Sequence, residues 1–182
     1  MAAPQQFDQD AFFEKFKKQF PNRRMEDESV GDLMALIVID DVPTDTINKV
    51  LRDNSDNTGA QYLWLADTHD SLHDYDGLTH EGTSSPIDPA WRSPFVGKTP
   101  ADVTAFIRNT PKPPKPLCKA YYALLQKDLY EERGYLLICK VIEGKRDPET
   151  IPIEGKEAGL FFVAFEREEW DECHEKQKLM EP

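Results

Sequence analysis

The residues of this chain best equipped for chemistry lie where two apolar runs end. Asp40-Asp41 closes the run Leu33-Met34-Ala35-Leu36-Ile37-Val38-Ile39, and Asp67-Thr68-His69-Asp70 closes the shorter run Tyr62-Leu63-Trp64-Leu65-Ala66. Carboxylates gathered at one point are what a hard cation such as Mg²⁺ needs, and the cation could in turn hold a phosphate. One aspartate beside such a metal could instead act as a nucleophile. His69 and His73 offer a second route. At i and i+4 on a helix they share a face and can chelate a transition metal, with a carboxylate as third ligand. No Glu follows His69, as a zinc-protease motif requires. Each residue also has a plainer use: aspartate after a strand turns the chain or caps a helix, and histidine in a polar loop is commonly just solvated.

The acids can meet only if the two runs are neighbouring parallel strands. The run 33–39 is too continuously apolar for a sheet with one wet face and suits a strand covered on both sides, as parallel strands are. A helix from about Thr44 to Leu51, with Ile47, Val50 and Leu51 on its apolar face, leads through the turn-forming stretch Asn54–Gly59 to the second run. Strand, helix, strand is most simply a βαβ unit, and ligands bind outside the carboxyl ends of such strands. The short connection leaves a mixed arrangement open.

Downstream, residues 68–98 show no period and hold Gly82, Pro86, Pro89 and Pro94, which reads as a long irregular insertion. Thr99-Pro100-Ala101-Asp102 opens a helix over 100–108. The prolines of 111–116 favour a polyproline connector. Leu117 to Tyr130 reads best as a helix, with a strand over its first half as the alternative. Strands are expected over 135–142 and 160–165, separated by a polar loop with Pro148 and Pro152, and a terminal helix over 166–178 places Trp170 and Cys173 toward the core. The expected fold is a single α/β or α+β domain over 33–182, with a mixed sheet of four to five strands covered by helices.

The piece Ile37-Val38-Ile39-Asp40-Asp41 resembles the start of response-regulator receiver domains, whose first strand ends in paired metal-binding acids. The resemblance stops there. The spacing to the next strand leaves too little room for a receiver's second strand and helix, and no later strand is followed by the Thr/Ser and Lys-Pro signals.

Two stretches suggest partners rather than chemistry. Residues 1–32 read as an amphipathic helix and linker: Asp8 caps it, Phe12, Phe16 and Phe20 recur at i, i+4 and i+8, and Pro21-Asn22 stops it. That helix either docks on the body or detaches to fill a partner's groove. Arg108, Pro111 and Pro114 have the spacing of a ligand for a polyproline-binding domain, although a rigid connector explains the same prolines.

Composition bounds the rest. With 182 residues and 39% hydrophobic content the chain can bury a core. A net charge of −12 argues against nucleic acid and anionic membranes and allows a basic protein partner. No apolar run is long enough to span a membrane, and Asp8, Asp10 and Glu14 break up any leader. Cys118, Cys139 and Cys173 show no zinc or disulfide spacing and fit reduced thiols in the cytoplasm. The favoured expectation is a non-enzymatic interaction protein without a cofactor. The other is a hydrolase or phosphoryl-handling enzyme assisted by Mg²⁺ or another divalent cation.

Overall fold

The computed structural model describes residues 33–72, 82–111, 117–164 and 170–171. Its centre is β1 (Leu33–Val38), all six residues of which are buried. β1 pairs in parallel with β2 (Leu63–Leu65) on one side and with β3 (Leu117–Leu125) on the other. β3 pairs antiparallel with β4 (Tyr135–Lys140), and β4 with β5 (Glu149–Glu154), giving one mixed sheet in the order β2-β1-β3-β4-β5. The expected mixed sheet and its parallel strand-helix-strand unit are both present.

Side chains that alternate along β1 face two different helices. Met34, Leu36 and Val38 pack with Ile47, Val50 and Leu51 of α1 (Thr44–Thr58). Leu33, Ala35 and Ile37 pack with Val103 and Ile107 of α2 (Pro100–Arg108). α1 carries the chain from β1 to β2, and α2 carries it back past β1 to β3. Crossovers of one hand that run in opposite directions along a sheet must use opposite faces, so this placement follows from the strand order. α3 (Lys127–Arg133) joins β3 to β4. α4 (Ala158–Ala164) lies against α1, and buried Trp170 completes that face.

The two crossover helices are held differently. α1 has no side-chain cap at its start and is gripped along its length. The buried Asn54 amide donates to Val50 O (2.8 Å) and Gly155 O (2.6 Å), and its oxygen accepts from Gly159 N (2.6 Å). Buried Asn48 accepts from Ile87 N at 2.8 Å. α2 is held at its ends. Thr99 and Asp102 form a reciprocal capping box at its start, and Arg108 in its last turn donates to Ile142 O and Lys145 O beyond β4.

Both sheet edges are protected. Beside β2, Gly82 N donates to Gln61 O (3.0 Å), Thr83 N to Leu63 O (2.8 Å), and Leu65 N to Thr83 Oγ1 (2.8 Å). Gly82 passes so close that a Cβ there would meet Leu63 O and, at 2.7 Å, Gln61 O. At the other edge, Val141 N bonds Ala120 O (2.8 Å), so the alternate β4 residues, Leu137 among them, point their backbone groups toward β3. Pro152, the partner of Leu137, therefore turns its hydrogen-free nitrogen outward.

Four expectations need correction. Leu117–Leu125 is a strand and Lys127–Arg133 a separate helix, not one helix over 117–130. Leu117, Tyr121, Leu124 and Leu125 fit a helical stripe, but a central strand with apolar cover on both faces shows the same residues. The run 160–165 begins as helix: α4 extends to Ala164, with Gly159 at its start lying close against Asn54 and Thr58 of α1. β5 occupies what read as polar loop, because an edge strand tolerates Pro152. The stretch 54–59 is not a turn cluster; α1 continues to Thr58 and stops at Gly59, whose φ of 74° suits glycine. The N-terminal helix of 1–32, the connector 112–116 and residues 73–81 of the insertion lie outside the described residues, as does most of the terminal helix.

Candidate functional site

The strand order reverses at β1, which has β2 on one side and β3 on the other. In open α/β sheets the crevice outside the carboxyl ends at such a reversal is where ligands bind. Here that place holds an open depression of about 600 Å³, lined by Asp40, Gln126, Asp128, Leu129, Glu132 and Arg133. Asp40 comes from the end of β1. The other five come from the end of β3 and from α3. Reading 117–130 as one helix concealed them. The signal that could have found them is Gln126, the first polar residue after the run Ala123-Leu124-Leu125, as Asp40 is after Ile37-Val38-Ile39.

Asp40 has a definite task. Its carboxylate accepts from Lys127 N at 2.8 Å, closing one of the free amide groups at the start of α3. Asp41, next to it, is exposed. Asp67 turns onto its own segment and accepts from Thr68 N and from the hydroxyl of Ser71, fastening the 3-10 turn His69–Ser71. Asp40 and Asp67 thus follow the carboxyl ends of two parallel strands, yet each carboxylate is bonded to a different neighbour. Among the described residues no three His, Cys, Asp or Glu side chains gather as a metal would need.

His69 is bound to α2. Its ring stacks on Phe106 at 4.0 Å between centroids with an interplanar angle of 11°, and Nε2 lies 3.1 Å from Phe106 O and 3.3 Å from Thr110 Oγ1. Phe106 O is in the last turn of α2, where carbonyls lack helical partners, so His69 finishes that helix end. His73 lies outside the described residues, as do Phe12, Phe16, Phe20 and Pro114. Pro111 is exposed, while Arg108 is engaged in the two backbone bonds that tie α2 to the β4–β5 turn.

The crevice between the ends of β1 and β2 is filled by the chain itself. Ser93 Oγ donates to Val38 O, and Gly97 N donates to Ile39 O at 2.9 Å. Phe95, between them, is buried with Ile39, Trp64 and Ala66. Residues 82–98 are thereby tied to β2, to α1 through Asn48 and to β1, while Val96 at the turn is held 51% exposed.

The buried titratable groups serve structure. The Tyr122 hydroxyl lies 2.8 Å from Thr104 Oγ1 and donates to Pro100 O at 3.0 Å, and burial raises its pKa further. Burial pushes the Cys139 thiol up to about 12, which keeps it protonated and poorly nucleophilic at neutral pH. Among the described residues no Ser, Thr, Cys or His lines the depression at the strand reversal. Its side chains can bind a polar group through charges of both signs, and the carboxylates of Asp40, Asp128 and Glu132 are the groups there that could act as base or nucleophile. Compared with protein-family models, with curated proteins and with solved structures, the chain matches none.

Proposed function

We propose that this chain is a non-enzymatic interaction protein of the cytoplasm, with an acidic surface that receives a basic protein partner. The observation that carries this reading is the anchored loop 82–98. It fills the crevice between the ends of β1 and β2, beside the strand reversal, and presents Val96 from a support bonded to β1, β2 and α1. A rigid loop with an apolar tip loses little conformational freedom on binding, which favours recognition. The net charge of −12 supplies long-range attraction for a cationic partner. The burial of Cys118 and Cys139 suits a reducing compartment.

The test is affinity capture with the full chain and with Val96→Glu. A basic protein retained at low ionic strength, released as salt rises past about 0.3 M, and not retained by the variant is the expected result. A thermal-shift screen with Mg²⁺, Mn²⁺ and Zn²⁺ runs beside it. Stabilisation by one of these ions that disappears in both Asp40→Ala and Asp67→Ala would overturn the proposal in favour of metal-assisted hydrolysis or phosphoryl chemistry.

A further inference from the structure

α4 is a helix without a polar side chain, Ala158-Gly159-Leu160-Phe161-Phe162-Val163-Ala164, in a chain of which 31% is charged. One side of it is accounted for. Ala158 is buried, Gly159 N donates to Asn54 Oδ1, and Phe162 packs against the core beneath α1. Leu160 and Val163, one turn apart, share the other side. Leu160 is 43% exposed, and only Val96 is the other large apolar side chain so exposed among the described residues. A helix that is apolar all round belongs in an interior, so this outer side needs cover.

We propose that residues 8–20 of the same chain provide it, laying Phe12, Phe16 and Phe20 along Leu160 and Val163. The lengths agree: at 1.5 Å per residue the phenylalanine stripe is about 12 Å long, close to the length of the seven-residue α4. The central strand starts at Leu33, and twelve residues such as 21–32 can span up to about 40 Å when extended. Five strands about 4.8 Å apart make a sheet only about 20 Å wide, so that linker reaches α4 from β1. The charges agree too. Residues 1–24 carry five Lys and Arg against three Asp and Glu, leaving 17 against 31 in the rest of the chain. At the start of α4, Lys156 sits among Glu154, Glu157 and Asp53, an acidic surround suited to Lys15, Lys17 and Lys18.

Hydrogen exchange read by mass spectrometry on the full chain tests this. Residues 8–20 should exchange about tenfold or more slowly than a free peptide of that sequence, and Leu160→Glu should remove the protection while peptides from β1 stay protected. If Leu160→Glu loosens β1 as well, Phe16→Asp takes its place, and exchange over 158–164 should then rise with β1 unchanged. Free-peptide exchange over 8–20 in the wild type overturns the proposal, as does protection that survives both substitutions. So does light scattering that gives twice the mass of one chain with protection lost on dilution, which would make a second copy the cover.

Discussion

The two crossover helices perform one topological task by different means. α1, with 15 residues, starts without a side-chain cap and is gripped from its interior by Asn48 and Asn54. α2, with nine residues, is gripped at its ends by Thr99 and Asp102, by His69 and by Arg108. The long helix presents enough side to the core for a buried amide to join it to two later segments at once. The short one is little longer than its own frayed turns, so closing its orphan N–H and C=O groups decides whether it forms. Damage to α1 should therefore be severe and reach distant segments, whereas damage to α2 should be modest and local.

Asn54→Ala is the strongest challenge to that contrast. It leaves Gly159 N and Gly155 O buried without their partner and should cost about 3 kcal/mol in urea unfolding, with faster exchange in 155–164 as well as in α1. A loss below about 1 kcal/mol would break the distinction. Asp40→Ala, which removes the carboxylate bonded to Lys127 N at the start of α3, should cost about 1.5 kcal/mol by the same measurement. At α2, Thr99→Ala and His69→Ala should each cost about 1 kcal/mol and leave exchange in α1 unchanged.

The finest test is the acid limb of the thermal midpoint. The Thr99 backbone N–H and hydroxyl hold the Asp102 carboxyl below the usual carboxylate range. A depressed native value adds stability above the unfolded pKa, near pH 4, and that stability is lost as pH falls through the native value. Asp102→Asn should lower the midpoint slightly near neutrality, where that stability is present, and the two curves should converge as pH falls through the native value. In the same preparations, Cys139 should resist thiol reagents until the protein unfolds, because its thiol is buried and raised to about 12.

Where one physical demand dominated, the fold was legible in the residues. β1 was, because a strand covered on both faces admits only apolar side chains, and so was α2, because Thr99-Pro100-Ala101-Asp102 is a start signal with a mechanism. β3 and α4 were not, since a stretch of seven to nine residues that is wholly apolar, or apolar but for Lys119, carries no period that separates strand from helix. Here the neighbours decide: β3 lies between two strands, and α4 starts where Gly159 meets Asn54. The candidate site was half legible. Asp40 and Asp67 could be placed at strand ends, but not that β1 would stand between β2 and β3, nor that residues 93–97 would fill the gap beside them. Those facts come from contacts between residues far apart in sequence, such as that between Ser93 and Val38.

Pro152 bears on the life of the molecule in a crowded solution. An open sheet is a template, and each unpaired edge invites another chain to add a strand. With β2 shielded by residues 82–83 and β5 turning a nitrogen without hydrogen outward, the template is blocked at both ends. One ring closure at this edge removes a donor that an added strand would need, so covalent structure, and not charge alone, disfavours growth of a ribbon there.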